Sequence, residues 1–256
     1  LASGIDGKLV LASFGEDPTT KESIHPKMFH FQIGDVDSMV AGALALNTEK
    51  HRNVYAPLAV MKAELPAGKK GHADDVVAVL GIVADFDLKD DPDAGRYAER
   101  LPIPPDFVVE SSPGSFQTGY VFESPLPLAD AKILAEKLAG HTGCDTRTKD
   151  PSGVWRLPGT KNWPNAKKVN AGRSTEPTDA VTVAAWSQSL TSKAKLLSSM
   201  PDVAEESSSL NISNVQMKSF ISLPHDLDHL IRNGVGEGAR SEQFHHAVGW
   251  LKQLGY

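Results

Sequence analysis

The run VVAVLGIVADFDLKDD at 76–91 constrains this chain more than any other stretch. Its nearly continuous apolar character is that of a central strand buried on both faces. The run ends in Asp85-Phe86-Asp87, and the period of two along a strand puts both carboxylates on one face, with Phe86 turned into the core. Two carboxylates held that close repel each other unless a cation sits between them. The competing reading is a strand running into an acidic, solvated turn, because Asp90, Asp91 and Asp93 follow directly. An acid-x-acid string also occurs in nucleotidyl transferases, sugar transferases and assorted hydrolases, whose hard oxygen ligands hold Mg²⁺ or Mn²⁺ against phosphate.

Around this strand, Val36, Met39, Val40, Ala43 and Leu44 have the spacing of an amphipathic helix, and MFHFQI before them reads as a strand. Strands are expected near 53–60 and 76–87. FVVE, the turn Ser111-Ser112-Pro113-Gly114 and FQTGYVFE together read as a hairpin. Ala131, Leu134, Ala135 and Leu138 mark a second helix closed by Gly140, and Val154–Leu157 a short strand. Helices and strands mix without a regular βαβ alternation, so the fold class is α+β.

Between Ser187 and Asn214, nine of 28 residues are serine, and Asp202, Glu205 and Glu206 make an acidic patch. That change of composition divides the chain into a domain over 1–186, a Ser-rich linker over 187–220 and a small helical module over 221–256. Phe244, Ala247, Val248, Leu251 and Leu254 share one face of the last helix, whereas adjacent His245 and His246 diverge and read as surface or packing residues. With Leu1 at its start and Tyr256 just after that helix, the chain reads as a fragment of something longer.

With 26 Lys and Arg against 32 Asp and Glu, the net charge is −6, which argues against a protein held to nucleic acid by a global positive field. The average hides opposed local fields. The segment 85–110 carries −5, and the segment 145–173, with Arg147, Lys149, Arg156, Lys161, Lys167, Lys168 and Arg173, carries +5. Trp155 and Trp163 lie among those cations, as base or sugar stacking in a backbone-tracking groove requires, although core packing suits Trp155 equally. Arg156 before Leu-Pro-Gly-Thr is placed to present a planar fork to a triphosphate or to make a structural ion pair. Amides and hydroxyls of the Ser111–Ser115 turn could meet an anion, with Gln117 beside them. No membrane-length apolar run and no basic leader is present, so a cytoplasmic protein is expected. Cys144, the sole cysteine, excludes an internal disulfide and a CxxC zinc site and reads as a small hydrophobe.

Taken in order, DFD, then ESSPGSFQ, then DTRTKDPSGVWRLPGTKNWPNAKK resemble the catalytic domain of archaeo-eukaryotic-type primases and primase-polymerases, most closely plasmid and phage replicative primases. The likeness covers about 28–185, and its most specific element joins Asp150 to Arg156–Thr160 and Asn162. It implies an RRM-like sheet plus a second α/β lobe, followed by the small helical module. It implies two Mg²⁺ or Mn²⁺ ions on Asp85, Asp87 and a third acid, Asp150 by spacing with Asp145 as competitor. It also implies nucleoside triphosphates cradled by Ser112, Gln117, Arg156 and Lys161, and a single-stranded DNA template tracked by Trp163, Lys167, Lys168 and Arg173.

One departure is Gln117, which stands where many members have the histidine of a Ser-x-His motif; an uncharged amide leaves Arg156 and Lys161 to supply the positive charge. The implied activity is primer synthesis or DNA polymerisation in a bacterial or phage-infected cell, with a helicase on the same or another chain as partner and no membrane. Two other readings fit part of the pattern: a metal-dependent glycosyltransferase, which leaves the Arg-Leu-Pro-Gly-Thr string without a role, and a non-catalytic single-strand-binding module.

Overall fold

The computed structural model describes residues 2–184, 186 and 189–200. In chain order the elements are β1 (Lys8–Glu16), β2 (Ser23–Gln32), α1 (Val36–Asn47), β3 (Arg52–Ala56), β4 (Ala59–Met61) and β5 (Val76–Phe86). They continue with α2 (Tyr97–Arg100), β6 (Phe107–Ser112), β7 (Ser115–Leu126), α3 (Leu128–Thr142), β8 (Trp155–Arg156) and β9 (Lys161–Asn162). The last are α4 (Ala166–Asn170), β10 (Thr178–Asp179), β11 (Val181–Ala184) and α5 (Lys193–Ser199). One sheet runs β11-β6-β7-β5-β4-β1-β3-β8, with β2 also paired to β1, while β9 and β10 pair separately. Every paired strand is antiparallel, which is the α+β arrangement expected from the irregular order of elements.

β5 is flanked on both sides, by β7 and β4, and is buried along most of its length, as its apolar run requires. Ile82, Ala84 and Phe86 join Tyr120 and Phe122 of β7 under Ala131, Leu134, Ala135 and Leu138 of α3. The expected face of α3 is therefore the buried one. Its stop is Gly143, at φ +63°, rather than Gly140, because only the former adopts the left-handed conformation that ends a helix.

The fold covers only part of the α1 face that the sequence spacing picks. Ala43 and Leu46 are buried, with Met39 against Leu11 and Val54, whereas Val36, Val40 and Leu44 stay exposed. Two apolar stripes run along this helix, and strand neighbours decide which is covered. β1 has no counterpart among the strands read from sequence; its Gly15 lies so close to the His51 carbonyl that a Cβ would come within 1.9 Å of it.

The core continues beyond residue 186. Thr191 donates its backbone N–H to Val121 and its hydroxyl to buried Asp106, at 2.7 and 2.9 Å. Ser192 then caps α5, and Leu196 and Met200 enter the cluster beneath α3. Residues 189–200 of the Ser-rich stretch are thus packed structure, because two apolar anchors one turn apart outweigh the polar composition around them. Leu196→Ala should cost about 2–5 kcal/mol in denaturant unfolding, as for other fully buried leucines; a cost near zero would return 189–200 to the linker. The remainder of the linker, the helical module over 221–256 and His245 and His246 lie outside the described residues.

Candidate active site

The register of β5 on β7 sets Asp85 opposite Gln117 and Phe86 opposite Phe116. Gln117 is held at both ends of its amide: the side chain donates to the Asp85 carboxylate, and Oε1 accepts the Arg156 backbone N–H at 3.1 Å. It is a buried connector between acid and base as much as a wall of the site. The hairpin turn closes with Gly114 at φ +75°, and Ser115 just after it donates to Asp87 Oδ1 at 3.3 Å.

A short 3-10 turn at Thr146–Lys149 is fastened to the end of β5. Asp145 donates its backbone N–H to the Asp85 carbonyl at 2.8 Å, and Thr148 Oγ1 accepts the Asp85 N–H at 3.3 Å. Asp145 caps the turn through Arg147, accepting its backbone N–H at 2.8 Å, its Nη2 at 2.9 Å and its Nε at 3.2 Å. The same Nη2 lies 3.5 Å from Asp85 Oδ2. Asp150 follows the turn and accepts from the Ser152 amide and hydroxyl through one oxygen, Oδ1, at 2.9 and 2.7 Å.

Arg156 is placed by the pairing of β8 with β3, opposite Tyr55. Its guanidinium stacks 4.4 Å over the Tyr55 ring and donates to Asn53 Oδ1 and Tyr55 Oη at 2.8 Å and to Asn162 Oδ1 at 3.0 Å. All these acceptors are neutral, no carboxylate among the described residues pairs with it, and only 8% of Arg156 is exposed. Burial above all pulls its affinity for a proton down. A buried cation without a carboxylate partner is costly, and the Asp85 charge opposes only part of the effect of burial.

Asp85, Asp87, Ser112, Gln117, Arg147, Asp150, Arg156 and Lys168 line one cavity of about 320 Å³, whereas Asp145 lies in the wall of a neighbouring one. Phe14, stacked on Tyr55 at 4.5 Å, closes one side. A second cavity shares Phe14, Tyr55, Arg156, Asn162 and Lys168 with the first and adds Trp163, whose indole N–H is buried without a partner among the described residues. Burial lowers the proton affinity of Lys168 and Arg173, while the Asp87 charge opposes that in both.

Of the residues singled out in the sequence, Lys161 and Lys167 are exposed and outside both cavity linings. Arg173 reaches Asn162 O and Thr178 Oγ1 instead, and Trp155 is buried in the wall of the first cavity. Four wall residues have no role that the sequence alone assigns: Phe14, Tyr55, Arg147 and Asn162. Cys144 packs against the core beneath α3, as a small hydrophobe does.

Burial pushes the Asp85 carboxyl up to about 6; the Arg147 charge opposes this, whereas Asp145 and Asp87 add to it by repulsion. Asp145, although partly buried, is held below the usual range by its bonds to Arg147. Among the described residues no three His, Cys, Asp or Glu side chains are gathered closely enough to hold a metal ion as they stand. Yet the oxygen donors suit a hard divalent cation, and a guanidinium already stands as cation between Asp85 and Asp145.

Folded Asp85 holds its proton more tightly than unfolded Asp85. Its contribution is therefore full below about pH 4 and is lost as the pH rises towards 6, by up to roughly 3 kcal/mol. In metal-free buffer Asp85→Asn should remove this fall, making the variant more stable than wild type at pH 7 in denaturant titrations. Parallel stability curves for the two proteins from pH 4 to 7 would overturn the assignment.

No family model and no curated protein matches the sequence. Among solved structures, the AEP domain of the cyanophage S-2L primase-polymerase matches with TM-score 0.50 and 17% identity, over 75% of this chain and 89% of that one. Primase RepB′ matches with TM-score 0.46 and 19% identity, over 75% of this chain and 57% of that one. The catalytic domain of RepB′, in complex with initiator DNA, matches with TM-score 0.44 and 18% identity, over 75% and 86%. Among the described residues no helix is long and apolar enough to cross a membrane. The chain has the fold of an archaeo-eukaryotic-type primase-polymerase (AEP) domain, the superfamily that its DFD and Arg-Leu-Pro-Gly-Thr segments resemble.

Proposed function

We propose that the chain is a template-dependent nucleotidyl transferase that makes or extends strands on single-stranded DNA, in replication of the plasmid or phage type. The observation that carries this is one cavity lined both by the acids Asp85, Asp87 and Asp150 and by the cations Arg156, which has no carboxylate partner among the described residues, and Lys168. Asp85, Asp87 and Asp150 would hold two Mg²⁺ or Mn²⁺ ions, with Asp145 engaged by Arg147. Bound there, the metals would activate the attacking 3′-hydroxyl and neutralise charge on the pyrophosphate leaving group.

The protein's own part is positioning. Gln117 fixes the Asp85 carboxylate relative to Arg156, and Ser115 fixes Asp87. Arg156, Ser112 and Lys168 bind the triphosphate, while Phe14 and Tyr55 form the apolar side against which sugar or base rests. Trp163 and Arg173 belong to the template side with the exposed Lys161 and Lys167, whose contacts to DNA are electrostatic and salt-sensitive. The two-lobe division of the sheet and a helicase partner are parts of the same proposal.

Incubation with single-stranded DNA, Mn²⁺ or Mg²⁺ and labelled ribo- or deoxynucleotides should yield template-length-limited products. Turnover of a nucleotide sugar with no such product would replace this reading by the glycosyltransferase one. Template binding with neither activity would leave a binding module.

A further inference from the structure

We propose that Arg147 is the site's internal counter-ion: it occupies the Asp85–Asp145 pair when no divalent metal is bound, and it passes to the substrate's phosphates when one arrives. This rests on the metal-binding reading given above.

The acids and the arginine are held very differently. Asp85 is fixed from three directions, by Thr148 on its amide, by Asp145 on its carbonyl and by Gln117 on its carboxylate, and its side chain is 9% exposed. The Arg147 side chain is 68% exposed and is tied to the carboxylates through its guanidinium. Its backbone N–H is held separately by Asp145 Oδ1 at 2.8 Å, so the head can leave while the turn stays formed. One Nη2 spans Asp145 Oδ2 at 2.9 Å and Asp85 Oδ2 at 3.5 Å, the bridging position a cation would take between those oxygens.

Two like charges so placed repel, and a single guanidinium relieves that repulsion only in part. A compact divalent ion on Asp85 carries twice the charge and binds oxygen directly, so it outcompetes the guanidinium and then repels it. The freed head has a destination, because Arg147 lines the same cavity as Arg156 and Lys168, where the phosphates are proposed to lie. Lys89 is less suited to this exchange, since its ammonium is paired with Asp90 at 2.8 Å. Metal entry and triphosphate capture become mutually supporting, because the ion that displaces Arg147 supplies the triphosphate with a further cationic ligand.

The test is a Mn²⁺ titration of the full chain, followed by the electron-spin-resonance signal of free Mn²⁺, without and with a non-hydrolysable nucleoside triphosphate. Without nucleotide, Arg147→Gln should bind Mn²⁺ about five- to tenfold tighter than wild type, the competition from a partly exposed ion pair having been removed. With Mn²⁺ saturating, the same variant should bind the triphosphate about tenfold more weakly. Arg147→Lys should lie between the two proteins in both measurements. Unchanged or weaker Mn²⁺ binding in Arg147→Gln overturns the proposal, provided that wild type binds the ion and Asp85→Asn does not. If Asp85→Asn binds Mn²⁺ as well as wild type does, the metal-site reading falls and this inference falls with it.

Discussion

Replacing Asp85 or Asp87 by Asn is expected to lower templated nucleotide incorporation by at least about 10³-fold, with affinity for single-stranded DNA unchanged or slightly raised. The size follows from the chemistry: losing one anionic ligand removes several kcal/mol of charge stabilisation that develops only as the phosphoryl group transfers. Binding of the template is spared because its cations, Lys161, Lys167 and Arg173, lie outside the acidic pair, and removing a nearby anion relieves repulsion of the DNA backbone. The two variants should also differ from each other. Asp85 is buried and its neutral amide replacement relieves a cost, so Asp85→Asn should be more stable than wild type in metal-free buffer at pH 7. Asp87 is less enclosed, holding Ser115 and the Lys89 amide through Oδ1, and Asp87→Asn should leave metal-free stability nearly unchanged. Primer-extension rates, filter binding and denaturant titrations on the same preparations separate these effects. Retained incorporation in either variant would remove that residue from the metal site.

Arg156→Gln is expected to weaken nucleoside triphosphate binding by about 10²-fold while shifting the unfolding temperature of the free protein by only a few degrees. The four neutral contacts made by Nη1 and Nη2 hold the guanidinium in plane without neutralising it. These favourable contacts are offset by burial of the charge, and losing both together changes folding stability little. Only an arriving anion uses the charge, so the loss concentrates in binding. Calorimetric titration with a non-hydrolysable triphosphate gives the first quantity and a thermal melt the second. A collapse of stability with no separate loss of affinity would make Arg156 a structural residue.

The acidic pair, the hairpin and Arg156 are legible in the sequence because each is written locally. Strand alternation orients Asp85 and Asp87, a Pro-Gly turn sets the hairpin, and Arg156 ends a short apolar strand. The residues that complete the cavity are not. Phe14 and Tyr55 come from β1 and β3, and only their pairing across the sheet, Ala12 opposite Tyr55 and Phe14 opposite Asn53, brings the rings together. Arg147 is visible as one cation among seven, but the Asx-type cap that aims it at Asp145 depends on the turn's geometry. Charge counting likewise does not separate Lys168, which faces the cavity, from Lys161 and Lys167, which face solvent. α5 is hidden by its serines, although Ser192 followed by Leu196 and Met200 is a cap and a one-turn apolar pair. Composition averages over such a short element, and packing does not.

The segment charges keep their meaning in the fold only in part. Asp90, Asp91 and Asp93 of the −5 stretch line neighbouring clefts rather than the main cavity, and Asp91 pairs with Arg100. The field around the site is therefore set by a few buried or half-buried groups, not by the run of charges in the sequence.

Everything proposed for this site turns on Asp85, Asp87 and Asp150 holding divalent metal against a triphosphate bound by Arg156. Crystals of the protein soaked with Mn²⁺ and a non-hydrolysable nucleoside triphosphate test that arrangement by anomalous scattering at the manganese edge. The expected result is anomalous density ligated by Asp85 and Asp87, with the triphosphate reaching from it to Arg156 and Lys168. Manganese bound elsewhere, or a triphosphate placed away from Arg156, would refute it.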